Sequence, residues 1–224
     1  MKPKILAVIP ARGGSKGLPR KNVLNLNGKP LIGWTIEAAQ QSKYISKVIL
    51  SSDDEEIIEV AKRMRCEVPF TRPASLAQDD STSIDVVLHA LEYLEGFDYV
   101  VLLQPTSPLR NVEDIDTCIK YVLEKNMDIC VSVTESDKSP FWMYWIKDEK
   151  LTPILSQKQM ILRRQELPIS YVLNGAIYVA KISKFLDVKT FFTEDTHSFV
   201  MPKERSLDID DMNDFRLCEI LLKK

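Results

Sequence analysis

Residues 5–22 of this chain read ILAVIPARGGSKGLPRKN, an apolar run followed by a loop that is rich in glycine and positive charge. The apolar residues 5–9 predict a buried strand, which Pro10 ends. In the loop, three glycines let a ligand approach the backbone closely, and successive backbone N–H groups can form a concave anion site. Its four cations are Arg12, Lys16, Arg20 and Lys21. We therefore predict a polyphosphate site at the carboxyl end of the first strand, where open α/β sheets bind ligands. The alternative is a solvated basic loop.

The loop differs from two familiar phosphate-binding loops. A Walker loop requires G-x-x-x-x-G-K-[ST], but Gly17 is followed here by Leu18 and Pro19. The dinucleotide-binding fingerprint opens directly into a helix, whereas Pro19 interrupts this loop and helical periodicity begins only after Pro30. The sequence therefore argues against a P-loop kinase and against an ordinary dehydrogenase.

Strand-like and helix-like segments alternate along most of the chain. Short apolar runs predict strands at residues 5–9, 47–51, 68–70, 99–103, 129–133, 174–179 and 199–201. Helical patterns predict helices at residues 31–42, 55–65, 81–94, 112–125, 183–188 and 211–222. This alternation predicts an α/β fold with a mostly parallel sheet covered by helices on both faces. We expect a single domain over residues 1–224, with residues 135–173, where the alternation fails, as an insertion of β-ribbon and loop.

Bulk composition restricts the class of protein and its partners. Hydrophobic residues make up 45% of the chain and charged residues 28%, as is usual for globular proteins. A net charge of −2 gives no overall attraction to nucleic acid or to anionic membranes, so the local cations suit a small anionic ligand. No apolar segment approaches the roughly 20 residues of a membrane span, and no signal peptide is visible. We expect a cytoplasmic protein whose four widely spaced cysteines are buried or inert thiols.

Four large aromatic residues lie close together in the insertion: Phe141, Trp142, Tyr144 and Trp145. Exposing such a cluster of apolar side chains to water is energetically unfavourable. One interpretation is that these side chains are partly buried in a subunit interface. The other is a satellite core within the monomer.

Asp208 and Asp210 form a pair of carboxylates near the carboxyl end of the chain. In an extended segment, residues i and i+2 project to the same side, so Leu207 and Ile209 would point into the core while both carboxylates share one face. Neighbouring carboxylates repel unless a cation lies between them, and Mg²⁺ is often held by one or two carboxylates plus substrate phosphates. The alternative is that Asp210 caps the last helix, for which Asp211 is the better candidate.

Two further polar segments are candidates for the site. Residues 104–110, QPTSPLR, follow the predicted strand at 99–103, and Pro105 and Pro108 stiffen that loop. Arg110 could also be an ordinary surface cation. Residues 79–83, DDSTS, precede a helix, so that capping alone would explain Ser83.

Three strings resemble the signatures of one enzyme family, the acylneuraminate cytidylyltransferases, also called CMP-sialic acid synthetases. They are PARGGSKGLPxKN at residues 10–22, LLQPTSPLR at residues 102–110 and SxDID at residues 206–210. The resemblance extends from Ile5 to about Phe215. It implies a Rossmann-like fold of the nucleotide-diphospho-sugar transferase type, Mg²⁺ as cofactor, and a homodimer formed through residues 135–173. It also implies that CMP passes from CTP to a nonulosonic acid, with release of pyrophosphate.

The resemblance also implies roles for individual residues. Those expected to bind CTP are Arg12, Gly13, Ser15, Lys16, Lys21, Asn22 and Ser83. Those expected on the sugar side are Gln104, Arg110, Arg164, Asn174, Tyr178, Phe191 and Phe192, with Arg164 lent by the partner subunit. Arg12, Lys16, Lys21, Asp208 and Asp210 are the expected catalytic residues, and the last two bind the metal. We treat Lys21 as a solvated cation that adds little to stability.

The identity of the sugar depends on a few positions. N-acetylneuraminate is the first choice, legionaminate and pseudaminate are the alternatives, and ketodeoxyoctonate fits least well with the matches at Arg164 and Asn174. Trp142 stands where some relatives place a lysine that reaches the neighbouring site, so that contact is absent or comes from another cation. A catalytically silent nucleotide-binding module is the alternative from another class, and the presence of both Asp208 and Asp210 argues against it.

Overall fold

The computed structural model describes residues 2–155 and 163–223, without the side chain of Arg164. The strands in these ranges are β1 Ile5–Pro10, β2 Asn25–Leu26, β3 Lys29–Pro30, β4 Lys47–Ser51, β5 Tyr99–Leu102, β6 Ile129–Glu135, β7 Tyr144–Lys147, β8 Lys150–Pro153, β9 Tyr171–Lys181 and β10 His197–Val200. The α-helices are α1 Leu31–Gln40, α2 Glu55–Arg63, α3 Ser83–Tyr93, α4 Val112–Glu124, α5 Ile182–Val188 and α6 Met212–Leu221.

A central sheet runs in the order β10-β6-β9-β5-β1-β4. β1 is parallel to both β4 and β5, and β10 is parallel to β6. β9 alone of these six is antiparallel to its neighbours, β5 and β6. The predicted α/β fold with a mostly parallel sheet is therefore confirmed, with one reversed strand in its middle.

Both faces of the sheet are buried at its centre, as β1 shows. Ile5, Ala7 and Ile9 point to one face, where they pack with residues of α1, α2 and α4. Leu6 and Val8 point to the other, where α3 and α5 cover them. This alternation follows from the two-residue repeat of a strand, and it explains why the whole run is apolar.

A third apolar cluster joins the glycine-rich loop to the end of the chain. Leu18 of the loop packs with Ile209 and with Phe215 and Cys218 of α6. This cluster therefore brings together residues that are roughly 190 positions apart in the sequence, at the carboxyl end of β1. As predicted, Ile209 is fully buried and Leu207 is packed against the same cluster.

The predicted strand at residues 68–70 is wrong. The chain there makes one isolated bridge, Ile49 to Glu67, and then leaves the sheet. Pro69 has no N–H group to donate to a ladder, which limits strand pairing at this point. Phe70 instead packs edge-on against His89 of α3, with ring centroids 4.6 Å apart.

The insertion contains the expected β-ribbon. β7 and β8 pair as an antiparallel hairpin separate from the central sheet, and both strands are exposed throughout. The aromatic residues Tyr144 and Trp145 lie on β7, where Trp145 is 64% exposed. Arg164 begins a short 3₁₀ turn, and its side chain lies outside the described part.

Two expectations from composition concern the whole chain. All four cysteines are free and buried, as predicted. In residues 2–155 and 163–223, no helix combines the length and the apolar character needed to cross a membrane.

Candidate active site

A cleft of about 290 Å³ opens at the carboxyl ends of β1 and β5. One side is the glycine-rich loop, and the other sides are the segment before α3, the first turn of α3 and the loop after β5. It brings together six residues that the sequence predicted: Arg12, Ser15, Lys21, Asn22, Ser83 and Gln104. The predicted position of a ligand at this edge of the sheet thus coincides with a concave, largely polar site.

Acidic residues at the start of α2 fix the shape of the glycine-rich loop. The Gly13 amide donates to Asp53 Oδ1 (3.1 Å), so this N–H shapes the loop and is not open to a ligand. Arg20, in the left-handed region with φ 59°, pairs with both Asp54 and Glu56. That hydrogen bonding to Arg20 holds the pKa of Asp54 below its usual range. Arg20 is therefore a structural cation that stabilises the loop against α2.

Lys21 is buried, so the expectation of a solvated cation is wrong. Its Nζ donates to the carbonyl oxygen of Ile209 (2.5 Å) and lies 3.6 Å from Asp210 Oδ1. Asn22 is also buried and donates to the carbonyl oxygen of Arg12 (3.0 Å). A Cβ on Gly17 would lie 2.5 Å from the carbonyl oxygen of Asp210, so only glycine allows this approach. The glycine-rich loop is therefore in direct contact with residues 206–211, here called the acidic segment.

The acidic segment is attached to the loop after β5 and ends at the cap of α6. The Ile209 amide donates to the Thr106 carbonyl oxygen (2.8 Å), which attaches the segment to the loop after β5. Asp211 caps α6 by accepting from the amides of Asn213 and Asp214. The capping alternative therefore falls to Asp211, and the Asp210 side chain stays 81% exposed.

Asp208 has the properties of a ligand-binding carboxylate. Its Oδ1 and the Thr106 Oγ1 are both buried, and neither has a hydrogen-bond partner within the described residues. Burial raises the pKa of Asp208, and the negative charge of Asp210 raises it further. The Thr106 hydroxyl opposes this rise, although Thr106 Oγ1 and Asp208 Oδ1 do not form a hydrogen bond. A bound cation would reduce the repulsion between the Asp208 and Asp210 carboxylates, and it would contact buried oxygen atoms that lack a hydrogen-bond partner.

This donor set fits Mg²⁺ when substrate completes it. The oxygens of Asp208 and Asp210 are hard donors of the kind that Mg²⁺ prefers, and the ion usually keeps phosphates or waters as further ligands. Within residues 2–155 and 163–223, no group of three or more His, Cys, Asp or Glu side chains could hold an ion unaided.

Residues predicted on the sugar side divide into two groups: those around Gly175 and Tyr178, and those that brace the interior. Gln104 Oε1 and Asp208 Oδ2 both flank Gly175, 3.7 Å and 3.5 Å from the position of a Cβ there. Tyr178 is buried on β9, the same strand as Gly175, and burial together with Asp208 raises the pKa of its hydroxyl. Phe191 and Phe192 separate: Phe191 is in the core, while Phe192 is 50% exposed with its ring edge-on to Tyr178.

Arg110 and Asn174 are internal braces in this structure. Arg110 is 2% exposed and donates to the carbonyl oxygens of Gln104 (3.1 Å) and Ala176 (2.9 Å) and to Thr35 Oγ1 (2.7 Å), so the surface-cation interpretation is wrong. Asn174 accepts from Ser132 Oγ (2.6 Å) and donates to Ser206 Oγ (2.9 Å). Neither is among the described residues that line the cleft.

The start of α3 resolves the role of Ser83. Thr82 is the N-cap, in a reciprocal capping box with Asp85. Ser83 is the first helical residue, so capping does not account for it, and it lines the cleft.

Comparison with known proteins identifies the family. A model described as Cytidylyltransferase matches residues 6–199. This chain belongs to the cytidylyltransferase family. It is therefore a nucleotidyltransferase, as its three sequence strings predicted.

Several relatives of this cytidylyltransferase are named. It is 37% identical over 225 residues to an N-acylneuraminate cytidylyltransferase of Escherichia coli O18:K1:H7, covering all of this chain but only 53% of that longer protein. It is 38% identical to the CMP-N,N'-diacetyllegionaminic acid synthase of Legionella pneumophila and 34% identical to the pseudaminic acid cytidylyltransferase of Campylobacter jejuni. Those two alignments each cover 98% of this chain and 97% of the relative.

Solved structures agree on the fold. A CMP:2-keto-3-deoxy-manno-octonic acid synthetase complexed with CTP superposes with a TM-score of 0.73 at 17% identity, covering 98% of both chains. A 4-diphosphocytidyl-2C-methyl-D-erythritol synthase from Anaerococcus prevotii gives 0.68 at 14% identity over the full length of both. The predicted nucleotide-diphospho-sugar transferase fold is thus confirmed.

Sequence reasoning missed one cation in the cytidylyltransferase cleft, Arg72. It is 4% exposed, and its guanidinium donates to Ser51 Oγ (3.1 Å) and to the Ser51 carbonyl oxygen. Burial lowers the pKa of Arg72 to about 10, an effect that Asp53 opposes and Arg12 reinforces. No motif surrounds this arginine in the sequence, so its position between β4 and the cleft became visible only in the structure.

Asp79 forms ion pairs with two cations of the glycine-rich loop, Arg12 and Lys16. Lys16 Nζ lies 2.5 Å from Asp79 Oδ2, and Arg12 Nη2 lies 3.3 Å from Asp79 Oδ1. The hydrogen bond from Lys16 lowers the pKa of Asp79. A bound polyphosphate would compete with this carboxylate for the same positive charges.

We expect Asp79→Asn to tighten CTP binding by up to about fivefold, a small effect because solvent-exposed ion pairs are individually weak. The measurement is the CTP dissociation constant by calorimetry at low ionic strength. Asp80→Asn is the matched control, since Asp80 makes no ion pair within the described part of the chain. Equal or weaker CTP binding by Asp79→Asn would show that Asp79 does not compete.

Proposed function

We propose that this cytidylyltransferase transfers CMP from CTP to the anomeric hydroxyl of a nonulosonic acid and releases pyrophosphate. The observation that carries the proposal is the contact of Lys21, a buried residue of the cleft, with the acidic segment: its Nζ donates to the Ile209 carbonyl oxygen and lies 3.6 Å from Asp210 Oδ1. A cationic loop for phosphates and a carboxylate pair for a metal are thereby adjacent. Three kinds of nonulosonate cytidylyltransferase among the relatives support the substrate class.

CTP occupies the cleft along the glycine-rich loop. Arg12, Lys16 and Lys21 offset the charge of the triphosphate and of the departing pyrophosphate, while the loop backbone near Ser15 approaches the phosphates. Asn22 and Ser83 lie on the walls where the cytidine would sit. In this arrangement the α-phosphorus would lie toward the acidic segment.

Asp208 and Asp210 would hold Mg²⁺ together with phosphate oxygens. When bound, the ion would neutralise phosphate charge and lower the pKa of the sugar hydroxyl. Lys21 keeps the acidic segment against the loop, which fixes the two carboxylates relative to the triphosphate.

In the transfer itself, the anomeric oxygen forms a bond to the α-phosphorus as the bond to the β-phosphate oxygen breaks. Such a reaction depends chiefly on positioning and charge neutralisation. Neither histidine lines the cleft: His89 is packed between Phe70 and Tyr93, and His197 lies on the outer strand β10. The hydroxyl proton therefore passes to a carboxylate or to water.

The sugar binds on the side of Gln104, Tyr178 and Phe192. Gln104 lines the cleft and reaches the same point beside Gly175 as Asp208 does. Phe192 offers an exposed apolar ring beside the hydroxyl-bearing Tyr178, which suits an acyl group next to polar sugar atoms. Arg164 of a second subunit would pair with the sugar carboxylate.

N-acetylneuraminate, legionaminate and pseudaminate are the candidate acceptors. The proposal is tested by pyrophosphate release on mixing the protein with CTP, Mg²⁺ and each acid separately. Sugar-dependent release with one acid strongly preferred supports the proposal and identifies the acceptor. Release with none of them would support the silent nucleotide-binding module.

The dimer is part of this proposal, and the insertion supports it. An isolated two-stranded ribbon is marginally stable in water, so β7 and β8 need a surface to pack on. Their apolar residues are strongly exposed in the single chain, with Trp145 at 64%, Ile146 at 79% and Leu151 at 67%. Each buried aromatic side chain would remove roughly 150–250 Å² from water. A second copy that offers the same ribbon across a two-fold axis is the occupant we propose.

We expect Trp145→Lys to convert a dimer into a monomer and to weaken sugar binding more than CTP binding, because Arg164 comes from the same insertion. Sedimentation velocity gives the assembly state, and separate titrations give the two affinities. Ile220→Lys is the control, since Ile220 is 59% exposed on α6, outside the insertion. A wild-type protein that is active as a monomer would contradict the shared site.

A further inference from the structure

Asp114 is a buried carboxylate that the mechanism above does not use. It lies in the first turn of α4, is 4% exposed, and accepts from the Asn111 amide (3.1 Å) in a capping box. The same carboxylate receives two near-parallel hydrogen bonds from Arg205, Nε to Oδ2 and Nη2 to Oδ1, both 2.9 Å. Capping requires only the first of these contacts, so the paired bond to Arg205 serves another purpose.

Arg205 ends the turn that leads into the acidic segment. The turn spans Lys203–Arg205, and Asp208 follows three residues later. Beyond Arg205 the segment is attached by Ser206, whose Oγ accepts from Asn174, and by the Ile209 amide on Thr106. The bond to Asp114 is the charged attachment at the start of this segment.

Asp114 is also connected to the buried Arg110 through the chain, because its capping partner Asn111 directly follows that arginine. Arg110 holds the carbonyl oxygens of Gln104 and Ala176. The carboxylate of Asp114 therefore joins the residue next to Arg110, which braces the loop of Gln104, to Arg205, which anchors the segment of Asp208.

We propose that Asp114 and Arg205 are positioning residues that set the distance between the Gln104 side of the cleft and the Asp208–Asp210 pair. Because a two-pronged guanidinium–carboxylate contact fixes angle as well as distance, it suits this task better than a single contact. The inference rests on the proposed function, since it assigns to the pair a part in aligning the sugar and metal sides. Without Mg²⁺, CTP binds along other elements, so the CTP dissociation constant measured without Mg²⁺ is expected to be independent of the contact.

The test compares Arg205→Gln with Lys203→Gln. Lys203 belongs to the same turn and pairs with the exposed carboxylates of Glu135 and Asp137, so its variant removes a similar charge without touching Asp114. For Arg205→Gln we expect kcat to fall on the order of 10- to 100-fold, as for a small misplacement of reacting groups. The Mg²⁺ concentration for half-maximal activity should rise while the CTP dissociation constant measured without Mg²⁺ stays unchanged. Lys203→Gln should match the wild type in all three.

Two further measurements separate positioning from simple destabilisation. Hydrogen exchange at the Ile209 amide should accelerate in Arg205→Gln and not in Lys203→Gln, and this readout does not require turnover. Arg205→Lys should recover only part of kcat, because lysine keeps the charge but lacks the planar fork. Asp114→Asn, which keeps the capping acceptor, should reproduce the effects of Arg205→Gln.

Wild-type turnover with a nonulosonic acid is measured first, so that a failure of the proposed function is recognised separately. The inference is overturned if Arg205→Gln shows wild-type kcat and wild-type exchange at Ile209. It is also overturned if kcat and the CTP affinity measured without Mg²⁺ fall together in proportion to the unfolded fraction. If the wild type lacks turnover, unchanged exchange at Ile209 overturns the positioning role and faster exchange supports it.

Discussion

We expect Gly17→Ala to lower kcat/KM for CMP transfer by at least about 100-fold, the scale of a displacement near 1 Å in an active site. The added Cβ would lie 2.5 Å from the carbonyl oxygen of Asp210, closer than real Cβ contacts allow. That oxygen belongs to the backbone, so either the glycine-rich loop or the acidic segment must move. Both carry groups that the reaction needs, and Lys21 would lose its alignment with Ile209 and Asp210.

Gly14→Ala is the matched control for this variant. A Cβ on Gly14 has no heavy atom within 4 Å, so the same chemical change in the same loop should leave activity near that of the wild type. Steady-state kinetics with both variants, alongside thermal melting to confirm folding, gives the comparison. Similar activity for Gly17→Ala and Gly14→Ala would mean that contact between the loop and the acidic segment is unimportant.

Asp208→Asn should lose on the order of 100- to 1,000-fold in kcat, the cost typical of removing one preorganised electrostatic contact to a transition state. The folded protein should be at least as stable as the wild type at pH 7. Because burial raises the pKa of Asp208 in the folded state, the folded chain binds more protons than the unfolded chain. Stability from this group is therefore greatest at low pH and declines as pH rises through its folded pKa, and asparagine removes that decline.

Asp211→Asn is the control for the metal pair. Asp211 caps α6, asparagine is also a good cap, and we expect a loss of about 1 kcal/mol or less with normal turnover. Asp210→Asn should resemble Asp208→Asn in activity. Calorimetry with Mn²⁺ and CTP would show whether the variants lose metal affinity. Near-normal turnover of Asp208→Asn with Mg²⁺ would contradict the assignment of the pair.

The sequence predicted most of the fold because the periodicities of its segments are clear. Apolar runs alternating with amphipathic helices required a sheet covered on both faces, and the structure has one. The reversed direction of β9 was not predictable, since an apolar run at residues 174–179 has the same pattern in either direction. A strand was wrongly predicted at residues 68–70 because an apolar run of that length with a proline resembles a short edge strand.

The site was predictable in its residue types and less so in its contacts. The loop, Gln104 and Ser83 meet in the cleft because each follows or precedes a predicted element at the ligand-binding edge. Lys21 appeared solvated in the sequence because the residue that covers it, Ile209, is 188 positions away. Arg110 was expected on the sugar side, with a surface cation as the alternative, and only the three acceptors around its guanidinium reveal a brace.

Transfer of the α-phosphate from CTP to a nonulosonic acid is the most direct test of the proposed function. The protein is incubated with CTP radiolabelled at the α-phosphate, Mg²⁺ and each of the three nonulosonic acids, and the products are separated and treated with phosphatase. If CMP is transferred as proposed, label enters a phosphatase-resistant sugar ester. One pyrophosphate is then released for each CMP transferred, and none is released without the sugar. Label that remains in CTP with every acid, or that appears as free CMP without a sugar ester, would contradict the proposed function.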